Sequence, residues 1–433
     1  MSPKPHRKRL FSALARAIKV PPKLTPTEWA EKYRIIGAAN AEPGRYRADR
    51  APYQREPMDC AADPDVQRIT LQWGAQLGKT EILNNILGYG MHWEPRSQMV
   101  MHPTQGDLST WLETKLNPLI NDTPEIRERV SAPRARDGVN NSRMKSYPGG
   151  FLMFAWSGSP NTMRGRSAPI ILCDEVDGYE ATAEGDPINL LWQRSATFGD
   201  QRLLIVTSTP TIKGESRVET AFEQGDQRRF WLPCPHCEEH QVLEWGQVSW
   251  MKDDDGEHLP ETAVYVCKHC GDIIEDGHKP AMLRRGEWRA EKPFRGHASF
   301  HLSELYSPWR KWRDIVTSFL EKKAAKDLQS FVNVSLAETW EEAGEGVDPN
   351  PLMSRREYYA AKVPKDALVL VAGVDVQDDR LEATVYGIGF DEEIWTIEHR
   401  VFEGDPGRQE LWRRLDEYLL TSFEHETGHF LKI

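Results

Sequence analysis

Hydrophobic positions along the chain come in short runs separated by polar, turn-rich stretches. Residues 68–73 (RITLQW) alternate apolar with polar and are rich in β-branched side chains, which predicts a strand. Residues 80–89 follow a glycine-containing turn and predict a helix. The runs at 170–173 (IILC) and 202–206 (RLLIV) are short and almost continuously apolar, as in strands buried on both faces. Further on, 367–376, 381–390 and 393–401 predict three antiparallel strands with a turn at 377–380. A helix is expected at 410–423, and 430–433 reads as the opening of a fourth strand. The pattern is that of an α/β protein, with no internal repeat.

The chemistry sits at the ends of these predicted strands. After residue 73 comes Gly74-Ala75-Gln76-Leu77-Gly78-Lys79-Thr80. A phosphate-binding loop has the form G-x-x-x-x-G-K-[ST]. Here Trp73 stands where its first glycine would be, but Gly78, Lys79 and Thr80 keep the working end. A glycine allows close backbone approach to phosphate, a lysine reaches the β and γ oxygens, and a hydroxyl serves Mg²⁺. Asp174 and Glu175 end the 170–173 run, at the strand terminus where open α/β sheets bind ligands. Asp174 is expected to hold Mg²⁺ and Glu175 to orient or deprotonate the attacking water. The bland reading is an acidic surface turn, since Asp177 and Glu180 follow closely. Thr207, Ser208 and Thr209, before Pro210, end the next strand. They suit either a sensor of the γ-phosphate or an ordinary Ser/Thr-Pro turn.

Cys234-Pro-His-Cys237 and Cys267-Lys-His-Cys270 form two C-x₂-C knuckles about thirty residues apart. Four thiolates so spaced close a tetrahedral Zn²⁺ site, and a zinc ribbon is expected. A redox dithiol or two disulfides are the alternatives, and His236 and His269 are competing ligands. Cys60 and Cys173 are expected to be structural. On the 367–376 strand, Asp375 is the first carboxylate of a possible two-metal nuclease site of RNase H-like type. The alternative is a small βββα domain without chemistry.

Composition narrows the class. The 433 residues are 28% charged and 39% hydrophobic, with no apolar run of membrane-spanning length and no evident signal peptide. The segment 10–20 is too short and too charged for either. No membrane partner is expected, and knuckle-type cysteine spacing points to a cytosolic compartment. A net charge of −11 argues against bulk attraction to DNA, yet the first fifty residues carry twelve Lys/Arg against four Asp/Glu. That lead-in is either a solvated tail or a partner-binding arm. The expected division is a basic lead-in with a short amphipathic helix (1–50) and a nucleotide-binding α/β domain (51–225). A zinc-ribbon region (226–300), a helical connector with Trp309 and Trp312 (301–362) and the start of a nuclease domain (363–433) follow.

Taken in order, TEWAEKYR, APYQREPMD, QWGAQLGKTE, IILCDEVDGY, FGDQRLLIVTSTP, CPHC with CKHCG, GEWRA, FHLSELYSPW and GVDVQDDRLEATVYG resemble the large terminase subunit of tailed bacteriophages, in its lambda-like (gpA) family. The resemblance runs from Leu24 to the end. It implies a RecA-like P-loop ATPase with a zinc-ribbon insertion, followed by an RNase H-like nuclease. It also implies an ATP-driven motor and endonuclease that cuts concatemeric viral DNA and moves it into a procapsid in the host cytoplasm. The implied partners are double-stranded viral DNA, a terminase small subunit, the procapsid portal and further copies of the chain; the implied cofactors are ATP, Mg²⁺ (or Mn²⁺ at the nuclease) and Zn²⁺. By the same resemblance Tyr53 and Gln54 match an adenine-reading element, and Gln76, Gly78, Lys79 and Thr80 match the phosphate loop. Asp174 and Glu175 match the acidic pair, Thr207 to Thr209 the coupling motif, and Asp375 the first nuclease carboxylate. Ala75 stands where relatives often carry an arginine, so that charge is expected from a neighbouring subunit or from Arg164, Arg166 or Arg194. Family members continue past this length, and the chain is expected to stop inside its nuclease domain, which would leave that site incomplete. The competing function is a superfamily-2 helicase or repair ATPase with a zinc module. It calls for a second RecA-like domain that 226–433 do not suggest. A nucleic-acid-binding module with a decayed ATPase is opposed by the intact Lys79, Thr80, Asp174 and Glu175.

Overall fold

The computed structural model describes residues 23–38, 40, 42–130, 141–163, 165, 167–341, 360–377 and 379–433. The chain folds as two compact units, 1–342 and 343–433. The first is organised by ten strands of one sheet. Six of them are β1 (Arg68–Trp73), β2 (Gln98–His102), β3 (Met144–Tyr147), β4 (Gly150–Trp156), β5 (Ile170–Asp174) and β6 (Leu203–Ser208). β7 (Arg228–Pro233) and β8 (His240–Gln241) follow. A separate antiparallel sheet of β9 (Val248–Lys252), β10 (His258–Val266) and β11 (Ile273–Ile274) comes next in the chain. β12 (Glu287–Ala290) and β13 (His297–Leu302) then return to the large sheet. Its order is β8-β7-β13-β1-β6-β5-β2-β4-β3, with β12 also on β7.

The seven strands from β7 to β4 are parallel to their neighbours, and the antiparallel additions lie at the two ends. Parallel strands need crossovers and are covered on both faces, which explains why β5 and β6 are buried at every position. The crossover after β1 is α2 (Lys79–His92), buried along most of its length, Asn84 and Asn85 included. An earlier helix, α1 (Pro26–Tyr33), begins with a Thr25–Glu28 capping box and packs Trp29 against α2. A Cβ at Gly88 of α2 would lie 2.3 Å from the Trp29 ring, so the helices meet this closely only over glycine.

The expected boundaries at 225 and 300 are not boundaries of this sheet. β7 continues it, and β13, read from sequence as the edge of the zinc region, pairs with β1 in full register from His297↔Arg68 to Leu302↔Trp73. The second unit contains β14 (Val369–Val376), β15 (Arg380–Ile388) and β16 (Ile394–Glu403) in one antiparallel sheet. The helix Gln409–Leu419 packs Leu411, Leu415 and Tyr418 on one face of it. Phe430–Lys432 is a strand as expected, but it pairs with Ser422–Glu424 as a separate hairpin. The sequence pattern carries the helix to residue 423, but it ends at Leu419 and residues 422–423 belong to this hairpin. No helix among the described residues is long and apolar enough to cross a membrane. The short helix expected within the basic lead-in (1–50) is found among the described residues as α1, and residues 1–22 lie outside them.

Candidate functional site

β1 runs into a loop that turns on two left-handed residues, Gln76 (φ 57°) and Gly78 (φ 90°), before α2 starts at Lys79. Gly78 is pressed against Gln54, whose Nε2 would lie 2.2 Å from a Cβ there. The Lys79 Nζ is buried and donates to the Trp73 carbonyl (3.0 Å) and the Gly74 carbonyl (3.3 Å). It also faces Glu175 Oε1 at 3.8 Å. Burial pulls the Lys79 pKa down, against the opposing pull of Glu175 and Asp174.

The sheet order brings the other groups to this point. β6 lies between β1 and β5, so Thr207 and Ser208 stand beside the acids. Thr207 Oγ1 donates to Asp174 Oδ1 (2.5 Å), and Thr80 Oγ1 to Asp174 Oδ2 (3.4 Å). Ser208 Oγ donates to Glu175 Oε2 (3.4 Å), and the Thr209 N–H bonds to the same carboxylate. Desolvation pushes both carboxyls above the usual range; the Thr207 bond and then Lys79 oppose this at Asp174, as Lys79 does at Glu175. Glu175 itself sits at φ 53°, a left-handed conformation costly for a non-glycine residue and common at functional sites. Lysine, hydroxyls and two carboxylates at the C-terminal strand ends can bind a polyphosphate with a divalent ion and polarise a water.

Gln54 meets the loop and Tyr53 does not. Gln54 Nε2 donates to the Leu77 carbonyl (2.9 Å), and Gln54 Oε1 accepts from Tyr46 (2.8 Å), a residue the sequence reading missed. The Tyr53 ring is fully buried, edge-on to Trp73 and Phe230, and offers no surface to a base. Trp73, in place of the loop's first glycine, ends β1 inside the core and stacks on Trp288 at 14°. Arg194 lies exposed in the last turn of Pro187–Arg194, while Arg164 and Arg166 lie outside the described residues.

The four knuckle cysteines converge. Their sulfurs all lie within 4.8 Å of one another, with Cys234–Cys270 and Cys237–Cys267 both at 3.9 Å, and no disulfide joins them. A tetrahedral ion with Zn–S bonds of 2.3 Å would set sulfurs roughly 3.8 Å apart. Each knuckle turns on a left-handed residue, Glu238 (φ 64°) and Gly271 (φ 76°). The His236 and His269 N–H groups donate to Cys234 and Cys267, both at 3.4 Å. Burial raises the Cys267 thiol, but the N–H groups of Cys270 and His269 together with the Cys234 and Cys270 thiols hold its pKa down, at about 6. The His236 ring is engaged elsewhere, by the Ile273 carbonyl at 3.0 Å. The cluster has the donor set and spacing to hold a metal ion.

In the second unit Asp375 is exposed on β14, opposite Glu382 of β15. Asp375 Oδ2 accepts from Gln377 (3.0 Å), and Glu382 is bound to Arg380 (2.7 Å). Among the described residues Asp375 joins no metal-ligating group of three; Asp378 lies outside them.

Two family models divide the chain between them. "Phage terminase large subunit gpA, ATPase domain" matches residues 40–288, more than half of the chain, and "Terminase large subunit gpA, endonuclease domain" matches residues 297–433. The chain is 28% identical over 446 residues to the terminase large subunit of Enterobacteria phage P21, spanning 94% of this chain and 67% of that protein. It is 26% identical over 456 residues to that of Escherichia phage lambda, spanning 96% and 69%. The crystal structure of the HK97 bacteriophage large terminase superposes with a TM-score of 0.48 at 13% identity, over 91% of this chain and 70% of that one. The endonuclease match begins at β13, a strand of the large sheet, so the family division falls inside the first compact unit. The models leave no support for a helicase, and the chain belongs to the phage terminase large subunit gpA family, as an ATPase and endonuclease of DNA packaging.

Proposed function

We propose that the first unit is a RecA-like motor that hydrolyses ATP at the Lys79–Asp174–Glu175 site to move double-stranded viral DNA. The observation that carries this is Lys79 and Thr80 facing Asp174 and Glu175 across β6, with Thr207 and Ser208 bonded to the acids. Gln76, Gly78, Lys79 and Thr80 cradle the phosphates. A buried carboxylate pushed up by desolvation and touching a hydroxyl suits a divalent cation, so Asp174 and Thr80 would hold Mg²⁺. Bound there, Mg²⁺ neutralises phosphate charge. Lys79 leaves the Trp73 and Gly74 carbonyls for the β and γ oxygens. Glu175 accepts a proton from the attacking water as its oxygen bonds to the γ-phosphorus and the bond to the β–γ bridging oxygen breaks. Gln54 supports the loop through Leu77, its buried amide held at the other end by Tyr46. With Ala75 in the loop, we assign the missing positive charge to a neighbouring subunit or Arg194.

The cysteine cluster is a structural Zn²⁺ site, and the second unit carries an RNase H-like nuclease fold with Asp375 as its first Mg²⁺ or Mn²⁺ ligand. Substrate and partners are concatemeric viral DNA, the terminase small subunit and the procapsid portal in the host cytoplasm, with several copies of the chain on the portal. Lys79→Ala is expected to lower ATP hydrolysis by on the order of 10²-fold or more while the protein stays folded, because Nζ supports only loop carbonyls and Glu175. Wild-type turnover in folded Lys79→Ala protein would remove the phosphate-loop assignment. In a chain that carries the whole nuclease domain, Asp375→Ala is expected to abolish divalent-ion-dependent DNA cleavage and leave ATPase turnover unchanged; cleavage assays that show no loss would reject the ligand.

A further inference from the structure

On the sheet face away from α2, a cleft of about 240 Å³ opens between the helices Pro187–Arg194 and Arg217–Gln224. Paired residues of parallel strands point to the same face. Leu204 and Val206 of β6 stand in register with Arg68 and Thr70 of β1, and His297 of β13 with Arg68, so the five share this face. Leu204 and Val206 pack with Ile188, Trp192 and Ala221, whereas Ile69 and Ile205 pack on the side of α2. The floor of the cleft is therefore apolar, interrupted by the Thr70 hydroxyl and the His297 ring. Thr70 Oγ1 and His297 Nε2 share a hydrogen bond (2.8 Å). Burial, and then the Arg68 charge, hold the His297 pKa down at about 4, so the imidazole is neutral. The phosphate loop opens into α2 at Lys79, on the other face.

One end of the cleft gathers positive charge without a counter-charge. The Trp192 ring carries the Arg202 guanidinium at 4.0 Å and the Arg68 guanidinium at 5.3 Å. Among the described residues neither guanidinium pairs with a carboxylate. Burial and then the Arg202 charge both pull the Arg68 pKa down. The acids nearby are engaged elsewhere. Asp200 accepts from Gln67 (3.3 Å). Asp186 lines the opposite end, where it pairs with Arg217 (3.2 Å) and caps its own helix at the Asn189 N–H (3.0 Å). Glu215, also at that end, is exposed. Arginines of the neighbouring strand are treated differently: Arg228 has Glu56 and Asp226, and Arg229 has Glu291. Two half-buried like charges repel one another, and an anion placed between them removes that cost.

We propose that this cleft is a binding site for a small organic anion, a carboxylate or phosphate on a flat apolar body, with the charge between Arg68 and Arg202 and the body over Leu204, Val206 and Ala221. The cleft is smaller than the roughly 300–1,000 Å³ of sites for drug-sized ligands, which suits a body of one or two fused rings. The test titrates the whole chain with 2-naphthoate by calorimetry. The wild type is expected to bind it saturably with a Kd of about 1 mM or tighter, in keeping with a ligand of that size. The cation of the same shape, 2-naphthylmethylamine, is expected to bind at least about tenfold more weakly, and so is 2-naphthoate to the Arg68→Gln/Arg202→Gln protein. Ala221→Phe fills the cleft with both arginines intact and should lose the probe as well. Lys79→Ala should bind the probe as the wild type does, since the phosphate loop lies on the other face. Absence of saturable binding to folded wild-type protein overturns the proposal. So does undiminished binding in either folded cleft variant, or equal binding of the amine. Loss of binding in Lys79→Ala also overturns it, by placing the probe on the phosphate loop.

Discussion

The Glu175→Gln variant is expected to bind ATP as the wild type does and to hydrolyse it roughly 10²–10⁴ times more slowly, the usual contribution of a positioned general base. Glutamine has the shape of glutamate and keeps an oxygen to accept the Ser208 hydroxyl, so the loop after β5 has no reason to move. It cannot take a proton from water at neutral pH. Lys79 loses an anionic neighbour at 3.8 Å, but the Trp73 and Gly74 carbonyls hold it in the free protein. The nearby Asp177 is a poor substitute base, because its carboxylate already accepts from the Val218 N–H (2.8 Å) and the Thr211 hydroxyl (3.0 Å). Affinity for a fluorescent ATP analogue and steady-state phosphate release separate the two effects. Undiminished phosphate release from folded Glu175→Gln protein would move the base to another residue, and weakened ATP binding would make Glu175 a phosphate-side group instead.

What the sequence made legible is what local pattern can carry. Residues 68–73 form a strand with the expected bounds, and the acids follow a run buried at every position. Turn residues and period-two alternation are short-range signals, and so are two cysteines three residues apart. Pairing between distant segments leaves no such mark. Nothing in HASFHL (297–302) says that it lies beside β1, more than two hundred residues earlier in the chain. Nor does Tyr53 announce that its ring belongs to the core with Trp73 and Phe230 while the next residue supports the phosphate loop. The segment 331–341, which meets the phosphate loop, was invisible for a related reason. Its bonds to Ala75, Thr211 and Lys213 are made by backbone groups, which every residue possesses.

Removing metal from the cysteine cluster is expected to unfold 234–274 and lower the melting temperature of the first unit by on the order of 10 °C, while ATP binding at 25 °C persists. Structural zinc sites bind with apparent free energies of about 10–16 kcal/mol in small modules, as large as the whole stability of a typical domain. Only part of that reaches the unit, and a loss of about 7 kcal/mol moves the melting point of a unit of 342 residues by about 10 °C, at an unfolding entropy of about 2.1 cal/mol/K per residue. β9, β10 and β11 depend on the cluster most, because the second knuckle joins β10 to β11 and the first leads from β7 toward them. β7 itself is held by β12, β13 and the tilted contact of Phe230 with Trp288, so the large sheet has other support. None of the hydrogen bonds at Lys79, Thr80, Asp174 or Glu175 comes from 234–274, which is why nucleotide binding outlasts the metal. Purified protein should contain about one zinc per chain, with four thiols that react freely only after chelation. Cys267→Ser should reproduce the chelated state, since it leaves three of the four sulfurs that a tetrahedral ion needs. Native protein without zinc, whose four thiols titrate at once, would reject the site, and loss of ATP binding in step with loss of metal would show that the cluster supports the phosphate loop after all.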